Sequence, residues 1–389
     1  MIRIESKEKC CGCTACASVC AHGCISMIED REGFKYPKVD LSICVNCGLC
    51  EKVCPILYSD SYGEVILVLG AINNNDEIRK NSSSGGVFSI FAESFIDSGG
   101  VVVGCAMDRT LQAIHVICET KKDLTQLRSS KYVQSNLDNI FIKIRDLLQS
   151  GRSVLFSGTP CQVSGLRRFL LKPYDNLFCI DVLCHGVPSP KLFREYKDSM
   201  EKKYGAKAIS VNFRCKKKEW KRLYIEFKFD NGKEYYKNAS FDPYMQLFLG
   251  NKSQRSSCFR CPFTTTSRQG DISLGDFWGI GRIHHRVEDD MGVSLILVNS
   301  EKGMNMFKSI RTQMKTISCE LDQVVASNSV LVQNINGDKQ RNLFYKSYVL
   351  DGLHSSVKKY TKHYAGWKQY YVQFMRWGLD IIRSFLKIG

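Results

Sequence analysis

The chain has 389 residues, nineteen cysteines and a formal net charge of +16, a combination that excludes several classes of protein. It contains no run of 18 apolar residues and no apolar stretch of signal-peptide length at its N-terminus, so we expect a cytoplasmic protein of two or three domains without a transmembrane helix. Because cytoplasmic thiols stay reduced, a disulfide framework is disfavoured and metal or redox chemistry is favoured.

The first domain, predicted over residues 1–57, contains one cysteine spacing twice. The spacing is C-x2-C-x2-C-x3-C, and its copies are Cys10, Cys13, Cys16 and Cys20, and Cys44, Cys47, Cys50 and Cys54. Three closely spaced thiolates can hold one 4Fe-4S cluster while the fourth binds the other cluster. We therefore expect an α+β, ferredoxin-like head with two clusters, one on Cys10, Cys13, Cys16 and Cys54, the other on Cys44, Cys47, Cys50 and Cys20. Zinc ribbons share the C-x2-C pair but rarely this triple spacing.

Two further cysteines of the head, Cys11 and Cys24, fall outside the repeated spacing. We expect them to be small residues that pack beside the clusters rather than ligands.

An α/β body with a mixed sheet is predicted after the head, with an N-terminal part (65–150) and a C-terminal part (151–345). Apolar runs at 65–72, 101–107, 113–118, 153–158, 177–184 and 293–299 are typical of buried strands. Helical spacing at 85–99 and 139–151 separates some of these strands. Alternating residues at 223–229 and 234–237 flank an Asn-Gly turn and predict a hairpin. Strands that alternate with helices indicate an α/β domain.

A basic run lies immediately before the predicted hairpin. It consists of Lys216, Lys217, Lys218, Lys221 and Arg222. We expect these side chains to be exposed and to dock an acidic redox protein, such as a ferredoxin or flavodoxin, although a solvated basic face is the simpler interpretation. No nucleic-acid recognition fold surrounds them, so we expect no nucleic-acid partner.

The C-terminal segment, residues 346–389, is predicted to form a helical, amphipathic tail. Aromatic and aliphatic residues recur at helical spacing from residue 360 onward, and basic residues lie near the opposite face. Such a helix could make peripheral contact with an anionic membrane surface, but packing against the body or a partner is the favoured interpretation.

Four cysteines of the body lie in turn-rich contexts, namely Cys161, Cys184, Cys258 and Cys261. Others, such as Cys105, Cys118 and Cys179, fall inside apolar strands, where a thiol behaves as a small hydrophobic group. Cys161 and Cys184 each follow a predicted strand, at the sheet edge where α/β proteins collect their functional loops. Four thiolates can hold one 4Fe-4S cluster, and a zinc ion is the alternative.

Several motifs of the body resemble those of a known family. The stretches NSSSGGVFS, RSSKYVQS, SGTPCQVSGLR, DVLCHGVPSP, SCFRCPF and DISLGDFWG occur in this order. With the head, they resemble the bacterial dicluster form of the family of coenzyme F-420 hydrogenase/dehydrogenase beta subunits. The resemblance implies that Cys161, Cys184, Cys258 and Cys261 hold a third 4Fe-4S cluster beside a flavin, in a flavin-binding α/β body.

The flavin site is expected at a serine- and glycine-rich loop that leads into a helix. No GxGxxG motif follows a predicted strand, so a Rossmann-type site is not supported. Hydroxyls, glycine backbone and a helix N-terminus together suit a pyrophosphate. The loop consists of Ser82, Ser83, Ser84, Gly85 and Gly86.

The resemblance implies that FAD is held by this loop and by the RSSKYVQS stretch, with Ser130, Lys131 and Tyr132. A cation at Lys131 would stabilise an anionic reduced flavin, so we assign it a catalytic role. Gly275 and Asp276 are expected to line the same cleft. His185 is a candidate proton shuttle or, equally, a hydrogen-bond donor to cluster sulfur.

These features predict a flavin-dependent iron–sulfur oxidoreductase. Electrons would pass from a ferredoxin-type donor through the 4Fe-4S clusters to FAD and a two-electron acceptor that the sequence does not identify. The alternatives are a non-catalytic electron-transfer subunit of a larger redox complex and a structural iron–sulfur or zinc protein. Coenzyme F-420 is a further candidate cofactor that the sequence alone does not support.

Overall fold

The computed structural model describes residues 1–58, 63–284, 287 and 289–362 and consists of a small head docked on a large α/β body. Residues 59–62, between the predicted head and body, and most of the predicted tail (363–389) lie outside the described residues. Within the described residues, no helix combines the length and apolar character needed to cross a membrane.

The head is the predicted α+β unit. Its elements are α1 (Ala15–Val19), β1 (Ile25–Glu29), β2 (Lys35–Val39) and α2 (Leu49–Lys52). The strands β1 and β2 pair antiparallel. Both helices follow a residue in the left-handed conformation, Thr14 before α1 (φ 67°) and Gly48 before α2 (φ 74°). These two turns reverse the chain within each cysteine repeat.

The body is built on one sheet of eight strands. Its strands are β3 (Leu67–Asn73), β4 (Val101–Met107), β5 (Ala113–Cys118), β6 (Val154–Gly158), β7 (Leu177–Val182), β11 (Ile272–Asp276), β12 (Ser294–Val298) and β13 (Met314–Ser318). Their spatial order is β13-β3-β12-β11-β7-β6-β4-β5. The four central strands β4, β6, β7 and β11 are parallel to one another. The other neighbouring strands pair antiparallel, namely β4 with β5, β11 with β12, and β3 with both β12 and β13. The sheet is therefore mixed, as predicted. It contains strands of both predicted parts of the body, 65–150 and 151–345, and β3 of the first part lies between β12 and β13 of the second.

A smaller antiparallel sheet contains the predicted hairpin. Its strands are β8 (Ala208–Asn212), β9 (Tyr224–Phe229) and β10 (Glu234–Asn238), in the order β10-β9-β8.

Helices cover both faces of the large sheet, which explains why its strands are continuous apolar runs. The helices of the body are α3 (Asp76–Lys80), α4 (Val87–Asp97), α5 (Ile140–Gln149), α6 (Pro160–Leu170), α7 (Pro190–Tyr204), α8 (Pro243–Leu249), α9 (Ile280–Ile283), α10 (Glu301–Ile310), α11 (Leu321–Ser327) and α12 (Asp338–Tyr360). Residues of α4 and α10 pack in one apolar cluster, and residues of α5 and α6 pack in another on strands β4 and β6. The first three residues of β4 are completely buried.

The head lies directly against α6 and the start of α7. Cys13 of the head packs so closely on Gly165 of α6 that a Cβ there would lie 2.9 Å from the Cys13 side chain. Glu32 forms an ion pair with the buried Arg341 of α12, and the Ser189 hydroxyl donates to the Glu32 carbonyl oxygen at 2.6 Å. These contacts place the cysteine repeats of the head beside the functional loops of the body.

Candidate cluster sites and the adjoining cavity

Half of the head's predicted ligands surround one small cavity. Cys10, Cys13, Cys16 and Cys54 all line it. Their grouping is the one expected for a single cluster, with the fourth ligand taken from the second repeat. Burial, followed by the proximity of Cys10 and Cys54, raises the pKa of Cys16 to about 12. A thiol in this position ionises only when a positive group, such as an iron ion, lies beside it.

Most of the second predicted set packs in one apolar cluster that also contains Cys16 and Cys54 of the first set. Cys20, Cys44 and Cys50 contact the same apolar cluster, whereas Cys47 is exposed. The extra thiol Cys24 lies in this cluster as well, with its Sγ 3.2 Å from Cys20 Sγ. The backbone N–H of Ile2 is directed at Cys50 Sγ at 3.2 Å, the kind of contact that stabilises negative charge on a cluster ligand.

The four predicted ligands of the body line a second cavity, although about 100 residues separate the first from the last. Cys161 lies in the first turn of α6, and Cys184 follows the end of β7. Cys258 lies in a short 3-10 helix and Cys261 directly follows it. All four line the cavity together with the head residue Cys11. Burial raises the pKa of Cys258 to about 12 and that of Cys261 to about 11.

The spacing of these thiols bears on the metal they could hold. Within the described ranges, no three His, Cys, Asp or Glu side chains are grouped tightly enough to hold a single metal ion. Zinc gathers its four ligands around one ion, whereas a 4Fe-4S cluster distributes four thiolates over four irons.

A third and much larger cavity, of about 610 Å³, adjoins the four body thiols. Its volume is in the ordinary range for small-molecule sites. Nearly all of the predicted flavin-site residues line it, namely Ser82, Ser83, Ser84, Gly86, Ser130, Lys131, Tyr132, His185, Gly275 and Asp276. Gly85 is not among them: a Cβ at Gly85 would lie 2.3 Å from the carbonyl oxygen of Ala71. Close packing against β3 therefore requires this glycine.

The three cavities adjoin one another through shared residues. Cys11 lines both the head cavity and the cavity of the four body thiols. Cys184 lines both the latter cavity and the large one. The geometry therefore provides a continuous series from the head to the large cavity.

The serine hydroxyls of the loop are already bound within the protein. Ser82 and Ser84 each donate to a backbone carbonyl oxygen at 2.7 Å. Ser83 Oγ accepts the backbone N–H of Ser130 at 2.7 Å. An anion in the cavity would consequently meet the backbone N–H groups at the start of α4 rather than these hydroxyls.

Arg214 is a residue of this site that the sequence analysis missed. It is only 3% exposed and donates to Asp276 Oδ2 at 2.6 Å, to the Tyr132 hydroxyl at 3.3 Å and to the Ser83 carbonyl oxygen at 3.2 Å. Burial opposes the charge of Arg214, but the Asp276 carboxylate outweighs it and the pKa is raised. Arg214 thus joins three predicted segments of the cavity wall, and no motif in the sequence marks it.

The expectation that the whole basic run is exposed is wrong for Lys216. Its Nζ donates to three backbone carbonyl oxygens, those of Arg79, Ser84 and Met291. Burial lowers the pKa of Lys216 to about 7. Lys217 is exposed but forms ion pairs with two glutamates. Lys216 therefore supports the loop beneath the cavity and is not available for docking.

Both residues predicted to be catalytic line the large cavity. Lys131 Nζ donates to the carbonyl oxygens of Gln126 and Arg128 at 2.9 and 2.7 Å, and burial lowers the pKa of Lys131 to about 8. His185 Nε2 lies 2.8 Å from Asn251 Oδ1, and burial lowers the pKa of His185. Because Asn251 donates through Nδ2 to another carbonyl, its Oδ1 is the acceptor and His185 Nε2 is the donor.

A dicluster head whose thiols converge beside a mixed α/β sheet defines an iron–sulfur protein. Residues 9–56 match the model of the 4Fe-4S dicluster domain. Residues 151–323 match the model of the coenzyme F420 hydrogenase/dehydrogenase family that describes the C terminus of its beta subunits. The resemblance inferred from the motifs of the body is confirmed by this match over residues 151–323. Binding of 4Fe-4S clusters by the head is supported by the first match.

Similar proteins include components of redox enzymes. The F subunit of F(420)H(2) dehydrogenase from Methanosarcina mazei is 23% identical over 207 residues, covering 48% of this chain and 58% of the relative. Coenzyme F420-dependent sulfite reductase of Methanocaldococcus jannaschii is 27% identical over 188 residues, covering 46% and 28%. The chain thus spans less than two thirds of either relative. One of the I subunits of NADH-quinone oxidoreductase from Geobacter metallireducens is 39% identical over 57 residues, covering 13% and 44%.

A chain in the xenon-derivatised F420-reducing [NiFe] hydrogenase complex from Methanosarcina barkeri aligns with a TM-score of 0.49 and 15% identity, covering 75% of this chain and 95% of that chain. A likeness at this level carries no argument about function.

Proposed function

We propose that the chain is an iron–sulfur flavoprotein oxidoreductase. It accepts electrons from an acidic, ferredoxin-type donor, passes them through three 4Fe-4S clusters and delivers them to FAD and a two-electron acceptor. The observation that carries the proposal is the series of three adjoining cavities, which share Cys11 and Cys184. The net charge of +16 supports an acidic donor.

The four body thiols suit a cluster because of their chemistry and burial. Desolvation raises the pKa of Cys184 well above its ordinary value, with further increases from the neighbouring thiols. Four such groups, buried together, require cationic metal to become thiolates, and thiolates are the ligands of 4Fe-4S clusters. The loop after β7 and the 3-10 helix hold Cys184 and Cys258 against Gly186, where a Cβ would lie 3.1 Å from the Cys258 Cβ.

The charge of the wall and the start of α4 suit a flavin in the large cavity. The serine hydroxyls of the loop, however, are not available to bind it. When bound, a flavin exchanges electrons singly with clusters and in pairs with a substrate. The ammonium group of Lys131 supplies positive charge to the wall, and α4 begins there. The hydroxyls of the loop are committed to the protein, so we assign pyrophosphate binding to the backbone at Gly86 and the first turn of α4.

The names of two relatives include coenzyme F420. We therefore include it among the candidate two-electron substrates. A second candidate function is a non-catalytic electron-transfer subunit, which the name of the related dehydrogenase component supports.

The decisive experiment for the clusters is metal and sulfide analysis of the anaerobically purified protein. Three clusters require about twelve irons per chain, and the double variant Cys258→Ser/Cys261→Ser should retain about eight. Cys319→Ser is the matched control, because this buried thiol at the end of β13 lies apart from the three described cavities. If the parent protein contains about eight irons and one zinc per chain, the four body thiols hold zinc rather than a third cluster.

The flavin and the reaction are tested on the same preparation. Extracted cofactor should chromatograph as FAD, and reduced ferredoxin should bleach the flavin absorbance in stopped flow. Reoxidation of the flavin by a small acceptor, with F420 included in the series, supports the enzyme. Reoxidation only by another redox protein supports the electron-transfer subunit.

A further inference from the structure

Arg255 is a completely buried side chain at the junction of the head and the body. Its Nε donates to the Cys10 carbonyl oxygen at 2.7 Å, and its Nη2 donates to the Lys35 carbonyl oxygen at 2.9 Å. The same Nη2 lies 3.5 Å from Cys10 Sγ. A residue of the body thus places a cation on a predicted cluster ligand of the head.

The guanidinium has hydrogen bonds but no carboxylate partner in the part of the chain that the structure describes. Its Nη1 donates to the neutral side chain of Gln134 at 3.1 Å, and aromatic rings flank it, with Tyr36 at 4.2 Å and Phe34 at 5.4 Å. A buried charge without a counter-charge is unfavourable by several kcal/mol. We therefore expect a negatively charged group at Cys10 that balances the charge of the guanidinium.

Arg341 provides an internal comparison at the same junction. It is also buried, and it stacks on Tyr345 at 4.2 Å. Arg341, however, forms an ion pair with Glu32. One of the two buried arginines is thus neutralised by a carboxylate, and the other faces a thiol.

Arg255 also touches the third cluster site through its own backbone. Its carbonyl oxygen accepts the N–H of Cys258 at 3.0 Å. Cys11, the neighbour of Cys10, lines the cavity of the four body thiols. The same short segment therefore contacts a ligand of the head cluster and carries two ligands of the body site.

We propose that Arg255 is the counter-charge of the head cluster that includes Cys10, and that it raises this cluster's reduction potential. The proposal rests on the cluster assignment made under the proposed function. A cation and an N–H donor at a ligand sulfur stabilise the reduced, more negative cluster.

The test is an anaerobic potentiometric titration followed by electron paramagnetic resonance, with signals assigned through Cys10→Ser. Arg255→Gln should move the potential of the Cys10 cluster to a more negative value and leave the second head cluster unchanged. Arg255→Lys, which keeps the charge, should restore part of the shift. The control Arg341→Lys alters the same junction and should change no cluster potential.

A second variant keeps the proposal testable when Arg255 variants fail to fold. Gly12→Ala places a Cβ 2.9 Å from Arg255 Nη1 and should displace the guanidinium, giving a smaller shift in the same direction at a cost of about 1–2 kcal/mol for its left-handed backbone (φ +72°). Unchanged potentials with full iron content would overturn the proposal, as would an equal shift of all clusters. Loss of head iron in every Arg255 and Gly12 variant would also overturn it and leave a structural role. A parent protein without head clusters would instead refute the proposed function.

Discussion

The position of Lys216 permits a direct test between a structural and a docking role for the basic run. Lys216→Met keeps the length of the side chain but leaves the carbonyl oxygens of Ser84 and Met291 without a donor, whereas the Arg79 carbonyl oxygen still accepts the N–H of Ser82. An unsatisfied buried acceptor is unfavourable by about 1–3 kcal/mol. Two of them predict a loss of about 3 kcal/mol in the free energy of unfolding of the body.

The matched variant is Lys218→Met, in the same run but exposed, for which a change within about 0.5 kcal/mol is expected. The assay is thermal unfolding of the anaerobic holoprotein at one scan rate. With about 2.1 cal/mol/K of unfolding entropy per residue and roughly 300 cooperative residues, 3 kcal/mol corresponds to about 5 °C. Melting temperatures that differ by less than about 1 °C between the two variants would show that Lys216 does not support the loop.

Two further predictions concern the large cavity and its wall. Because burial lowers the pKa of Lys131 to about 8, its ammonium group is lost as the pH rises through that value. The affinity of flavin-free protein for FAD should then fall by up to about tenfold per pH unit between about pH 8 and 9.5, with a flat profile for Lys131→Met. The neighbouring thiols Cys105 and Cys118 stay protonated, since burial raises the pKa of each. Gly85→Ala should abolish folded protein, because its Cβ would meet the backbone of β3 and β12, whereas Gly151→Ala, which has open space, should remain folded at a cost of about 1–2 kcal/mol.

The sequence predicts strands well where the chain is buried on both faces. The apolar runs at 101–107 and 113–118 coincide with β4 and β5, because strands between two layers of helices have no polar face to interrupt the pattern. Cysteine spacing is equally informative, since the four ligands of a cluster must converge whatever the intervening chain does.

Long-range contacts of polar side chains are what the sequence does not reveal. Arg214 and Arg255 occur in ordinary basic contexts, yet both are completely or almost completely buried. Lys216 belongs to a run that is typical of an exposed face, and the fold nevertheless turns it inward. The partners of these cations come from segments distant in sequence, so no local pattern could identify them. For the same reason, the bond of the Ser84 hydroxyl to the Val293 carbonyl oxygen could not be predicted.

The interval between Cys161 and Cys261 has a consequence for biosynthesis. The ribosome synthesises Cys54, the last predicted ligand of the head, more than two hundred residues before Cys261. The parallel strands β6, β7 and β11 must also pair before the body thiols converge. If the clusters are bound as proposed, iron can enter the head while the rest of the chain is still being translated. The body site can be loaded only after synthesis has passed residue 261. Translation therefore makes the head available for cofactor insertion before the body.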